Sequence, residues 1–134
     1  MTDFSKSTWY SDRMKREATL VRWGYNGQPV LLYPTAGGDA EEIERFWMIR
    51  YLEPLLAAGR IKIYSCDSVA GHAMMVQEGT PQHRMWLLNQ FHQYVRHEVV
   101  PAIRMDCKDP EMPVWTAGAS IGAFHAVATA CRDR

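Results

Sequence analysis

Cysteine is scarce in this chain. Cys66, Cys107 and Cys131 are odd in number and show no Cys-x-x-Cys spacing, which argues against a disulfide framework and against a zinc site, and fits free thiols in a reducing compartment. An excess of charge of one sign is also missing. Fifteen Lys and Arg balance fifteen Asp and Glu, so no broad field draws nucleic acid, an anionic membrane or an acidic polymer. No hydrophobic run approaches the roughly 20 residues that span a bilayer, and the polar stretch from Met1 to Glu17 has no apolar segment of a secretory signal. Neither Gly-x-Gly-x-x-Gly nor Gly-Lys-Ser/Thr occurs, so Pro34 to Gly38 makes a poor nucleotide phosphate loop. These absences leave a cytoplasmic protein with no nucleic-acid or membrane partner, no metal and no cofactor as the expectation.

What is present reads as strands alternating with helices in one unit of 134 residues. Ser7 to Trp23 has β-favouring residues broken by a charged patch at Asp12 to Glu17, which predicts two antiparallel strands. Pro29 to Tyr33 is a continuous apolar run, as expected of a central strand covered on both faces. Asp39 followed three residues later by Glu42 resembles a capping box, and it predicts a helix to about Ala58 with Ile43, Phe46, Trp47, Ile49 or Arg50, and Leu52 on its apolar face and Gly59 as its stop. Arg60 to Cys66 alternates into a strand, and Asp67-Ser68 into a polar loop. Thr80-Pro81 caps a long helix to about Arg104, whose buried stripe is Met85, Leu88, Phe91, Val95, Val99 and Ile103, with Pro101 kinking or shortening its last turn. Val114 to Thr116 is the last strand, and a small-residue helix follows. The expected fold class is therefore α/β, a mostly parallel sheet with flanking helices and antiparallel N-terminal strands.

The chemistry concentrates at Gly118-Ala119-Ser120-Ile121-Gly122, where an apolar strand runs into a helix. A serine raised on a sharp strand-to-helix turn has a strained backbone, and the residues two before and two after it pass so close that only glycine fits. That makes Ser120 the candidate nucleophile and Gly118 and Gly122 the glycines of its elbow. The turn aims the first free amide of the helix, that of Ile121, at the space above the hydroxyl, where the positive helix end favours an oxyanion. The glycine pair after Pro29 to Tyr33 lets a second amide, from Ala36 or Gly37, point into the same cleft.

At these residues the chain resembles the α/β-hydrolase superfamily, in its esterase branch of S-formylglutathione hydrolases and mycolyltransferase-like proteins. The resemblance is carried by Val30 to Gly38, Ile63 to Ser68, Glu98 to Ile103 and Ala117 to Ala126, and it casts residues 1–134 as the N-terminal half of such a domain. It implies a Ser-His-Asp hydrolase acting on a small-molecule ester or thioester, with Ser120 as nucleophile and Ile121 plus Ala36 and Gly37 as oxyanion hole. The family draws its acid and its histidine from loops after later strands, so this chain is expected to be a truncated hydrolase, inactive alone.

The other candidates read as structural. His125 shares a helix with Ser120 and projects away from it; His92 and His97 do not share a face and form no metal pair; Asp67 reads as a loop cap; His72 and His83 flank a loop. An exposed edge on the last strand is expected to recruit a complementing C-terminal segment or a second copy. The alternative function is a non-catalytic binding domain on the same scaffold.

Overall fold

The computed structural model describes residues 3–132. Strands β1 (Phe4–Ser11) and β2 (Arg16–Trp23) form a hairpin whose turn is closed by Lys15 in a left-handed conformation. β3 (Gln28–Tyr33) leads to a short α1 (Glu42–Arg45) and then α2 (Met48–Ala57). β4 (Ile61–Cys66) is followed by α3 (Val69–Val76), α4 (Pro81–Tyr94), a π turn at Val95–Val99 and α5 (Val100–Asp106). β5 (Trp115–Gly118) and α6 (Ile121–Arg132) complete the order.

The five strands make one sheet in the order β1-β2-β4-β3-β5, with β1, β2 and β4 antiparallel in sequence and β4, β3 and β5 parallel. Alternation along the strands divides the apolar side chains between two cores. Leu20, Leu31, Tyr33, Tyr64 and Cys66 face α3 to α6 and bury Phe91, Tyr94, Val99 and Ile103; Val21, Trp23 and Ile63 face α1 and α2 and bury Ile43, Ile49 and Leu56. Each such side chain contributes about 1.5–3 kcal/mol when fully removed from water.

Several expectations change in detail. The helix expected from Asp39 to Ala58 breaks at Trp47, which adopts φ 71° and leaves Phe46 and Trp47 exposed. Asp39 accepts from the Glu41 amide and pairs with Arg45, while Glu42 turns away to Thr35, so the capping box does not form. Gly59, at φ 70°, does stop α2: its amide bonds to Leu56 and the Arg60 amide to Leu55, the paired closure that a left-handed residue permits. Asp67-Ser68 opens α3 rather than a loop. The Thr80 hydroxyl accepts from the His83 amide as a cap should. Beyond it Met85 is exposed, and the buried stripe runs instead through Leu87, Phe91, Tyr94, Val95, Val99 and Ile103.

Pro101 does not end its helix: the turn before it has π geometry, and α5 continues to Asp106. Proline removes one amide donor and crowds the carbonyl four residues back, and one wider turn absorbs both. Glu98 in that turn is held from outside by the hairpin, accepting from Trp9 Nε1 at 2.9 Å, Ser11 Oγ at 2.9 Å and Arg13 Nη1 at 3.1 Å. β3 is interior in the sheet, but α2 covers only part of its second face. Val30 and Leu32 are half-buried there and line an open groove.

Candidate active site

Ser120 sits between the last residue pairs of β5 and the first turn of α6, with φ 58° and an exposed side chain. A non-glycine residue in this region costs about 1–2 kcal/mol, because its Cβ crowds the next carbonyl. The surroundings enforce it. A Cβ on Gly118 would lie 2.4 Å from the carbonyl carbon of Gly122, and a Cβ on Gly122 would lie 2.8 Å from the carbonyl oxygens of both Tyr33 and Pro34. The two glycines are thus required by space, and through Gly122 the turn rests on the end of β3. Two side-chain bonds fasten α6 to the sheet beside it: Thr116 Oγ1 donates to the Ala126 carbonyl at 2.8 Å, and the Tyr33 hydroxyl meets Thr129 Oγ1 at 2.9 Å.

Within the first turn of α6, the Ala123 and Phe124 amides donate to the Ser120 carbonyl and the Gly122 amide to Ala119. The Ile121 amide has no acceptor among the described residues, and neither have those of Ala36 and Gly37. The Ala36 loop is brought to the elbow by α3. A Cβ on Gly71 would stand 3.1 Å from Ala36 Cα and 3.2 Å from Ile121 Cγ2, so Gly71 marks the point where the loop after β3, the start of α6 and the start of α3 converge.

Two carboxylates fix this loop from either side. Buried Glu42 accepts from the Thr35 amide at 3.3 Å and the Thr35 hydroxyl at 2.6 Å. Asp67 Oδ1 accepts from the Ala40 amide at 2.8 Å, while the Ser68 amide donates to the Gly38 carbonyl at 3.1 Å. Burial pushes the Asp67 carboxyl above its ordinary range, the Ala40 amide offsetting part of this. The contacts of Glu42, Ser68 and Gly71 had no signal in the sequence, since each is made to a residue outside its own element.

No histidine or carboxylate among the described residues hydrogen-bonds to the Ser120 hydroxyl. His72 and His97 are exposed, and His83 pairs with Glu78 at 2.7 Å. His125 is wholly buried and bonds through Nδ1 to His92 Nε2 at 3.0 Å, so the two helices α4 and α6 share an imidazole pair. Desolvation pushes both rings down to about 4. Among the described residues no group of three His, Cys, Asp or Glu could hold a metal, and no helix is long and apolar enough to cross a membrane.

An apolar groove of about 540 Å³ begins at Ala119 and runs along the open face of β3 and β5 to α1 and α2, lined by Leu32, Thr35, Phe46, Met48 and Trp115 among others. Trp115 is 60% exposed, and the outer edge of β5 pairs with no strand among the described residues.

This fold, a mixed five-stranded sheet flanked by helices, is one that solved esterases share. Among solved structures, a ferulic acid esterase matches with a TM-score of 0.70 at 12% identity over 98% of this chain and 54% of its own. The S-formylglutathione hydrolase of Agrobacterium tumefaciens matches with a TM-score of 0.66 at 13% identity over 98% and 54%. The enterobactin esterase of Shigella flexneri matches with a TM-score of 0.65 at 16% identity over 97% and 33%. The chain therefore spans between a third and about half the length of these esterases. No family model matches it, and no curated protein does.

Proposed function

We propose that this chain carries the nucleophile and oxyanion half of a serine ester or thioester hydrolase site. The observation that carries the reading is Ser120 held left-handed on a strand-to-helix turn between two glycines that have no room for a Cβ. In the proposed reaction the Ser120 oxygen attacks an acyl carbonyl, its proton passing to a base. The Ile121 amide and one from Ala36 or Gly37 donate to the oxyanion, the alcohol or thiol leaves, and water releases the acid.

The base and its acidic partner are assigned to a segment beyond these residues, since the described histidines are exposed, paired with Glu78 or paired with each other. The open edge of β5 and the apolar groove beside Ala119 are where such a segment would seat, as a strand on the edge and a helix on the face. Without it Ser120 is an ordinary alcohol, and loss of triad function costs on the order of 10⁴-fold in rate.

A fluorophosphonate probe tests the reading. Labelling of Ser120 that appears or accelerates when a complementing C-terminal segment is added, and vanishes in Ser120→Ala, is the expected result. Silence after a segment has demonstrably bound would favour the second reading, a binding domain on the same scaffold, which draws on the same lack of a base at Ser120.

A further inference from the structure

The groove that begins at Ala119 carries a single charged side chain among its described lining residues. It holds about 540 Å³ between the hydrocarbon of Leu32, Ile43, Phe46 and Trp115, and Glu42 is set into it beside Thr35. Cavities of about 300–1,000 Å³ that are apolar apart from a few fixed polar groups are the usual form of a small-molecule site. Register shows which end Glu42 occupies. Leu32 pairs with Ala117 and Tyr33 with Gly118, so the Thr35 and Ala119 end adjoins Ser120, whereas Val30, Ile63 and Trp115 share a row at the other end.

Glu42 is only 4% exposed, and its bonds satisfy one oxygen. The Thr35 amide and the Thr35 hydroxyl both donate to Oε1. Oε2 has no donor among the described residues, and a Cβ on Gly38 would stand 1.5 Å from it, so the glycine makes the room in which that oxygen lies. An ionised carboxylate accepts at both oxygens, and a buried charge is ordinarily met by an opposite one. The cations of α1 and β1 are engaged elsewhere, Arg45 with Asp39 and Lys6 with Glu41. The ends of the described chain lie apart from it as well. Phe4 shares the row of Trp23, Ile63 and Val30, and Arg132 meets Asn89 on the face of the sheet that carries α4 and α6.

We propose that the Ser120 end of this groove binds a protonated amine borne on a hydrocarbon body, with the ammonium on Glu42 Oε2 and the hydrocarbon along Leu32 and Phe46. An ammonium supplies the donor and the charge that Oε2 lacks, in a charge-assisted bond, while the apolar walls take the rest of the molecule. The other end, at Val30, Ile61 and Trp115, is left to a complementing segment. That the amine belongs to the ester or thioester attacked by Ser120 rests on the hydrolase reading of that serine; the binding itself does not.

The test is a titration of the 134-residue chain at pH 7 and constant ionic strength with hexylammonium chloride, 1-hexanol and sodium hexanoate, following the Thr35, Glu42 and Ala119 amides by NMR. Hexylammonium is expected to give saturating shifts at these amides and to bind about ten-fold or more tighter than hexanol, the worth of one charge-assisted contact, with hexanoate weakest. Glu42→Gln keeps an oxygen for Thr35 and discards the charge, so it should erase the advantage of the amine and leave hexanol binding as it was. Leu32→Asn should weaken amine and alcohol alike. None of the probes has an acyl bond to cleave, so amine binding in a chain whose complemented Ser120 resists a fluorophosphonate would uphold the site and remove only the hydrolase reading. Hexylammonium binding no tighter than hexanol, an advantage that survives Glu42→Gln in folded protein, or shifts that leave Thr35 and Ala119 unmoved would overturn the proposal.

Discussion

Gly118 and Gly122 touch across the turn they enclose: a Cβ on the first would stand 2.4 Å from the carbonyl carbon and 2.5 Å from the carbonyl oxygen of the second. Backbone meets backbone there, so neither side can give way by rotating a side chain. Gly118→Ala and Gly122→Ala are each expected to destabilise by about 1–3 kcal/mol or more, the range for overpacking in a closed site. Gly37→Ala is the contrast, because its Cβ would meet only the flexible end of Met75 at 3.0 Å. Urea denaturation of the three variants checks this, and equal midpoints would remove the elbow argument.

Ser120→Gly should raise stability by about 1 kcal/mol, since glycine relieves the left-handed backbone, whereas Ser120→Ala should not. Both lose the hydroxyl, so the comparison isolates backbone strain from side-chain chemistry. Thermal melts that rank the two alike would mean that φ 58° at Ser120 stores no strain.

Asp67 can be separated into acceptor and charge. Its folded carboxyl is raised by burial, so between its unfolded and folded values the native state holds the extra proton, and stability falls as pH rises through that window. Asp67→Asn keeps an oxygen for the Ala40 amide and discards the buried charge, and is expected to be neutral or stabilising at pH 7. Asp67→Ala leaves that amide unpaired and should cost about 1–3 kcal/mol. Destabilisation of similar size by both would show that the charge itself holds the loop.

The His92–His125 pair sets an acid limit. Both rings are held neutral, down to about 4 from an ordinary 6.5, so the unfolded chain binds more protons than the native one between those values. Stability from this pair is complete above about pH 6.5 and is lost as pH falls toward 4. Urea midpoints measured from pH 7.5 to 4 should therefore fall less steeply in a His92→Leu/His125→Leu double variant than in the parent. Parallel profiles would show that the pair does not titrate in this window.

Much of the fold was legible because it rests on local chemistry. The alternation of Leu20 with Val21 and of Ile63 with Tyr64 feeds two opposite cores, Thr80 caps α4, and Gly59 closes α2 as left-handed residues do. The spacing of Gly118 and Gly122 about Ser120 was legible for the same reason. α3 was not. Its buried residues Ala70, Gly71 and Ala73 are small, and Gly71 allows the close approach of Ala36 and Ile121, so they leave little amphipathic period. Trp47 is an unlikely residue for a left-handed break, and nothing near it signals one. The engagement of Glu42 with Thr35 could not be read, because its position three residues after Asp39 suited a cap equally well. The imidazole pair joins two helices far apart in sequence, which no local pattern records.

The order of pairing in the sheet also gives assembly a direction. The β1–β2 hairpin can zip up by itself, but β5 finds its neighbour β3 only after two helical crossovers have been laid down, and contacts that span so much chain are slow to close. The ledge bearing Ser120 is thus the last part to lock and should be the first to exchange its amide hydrogens.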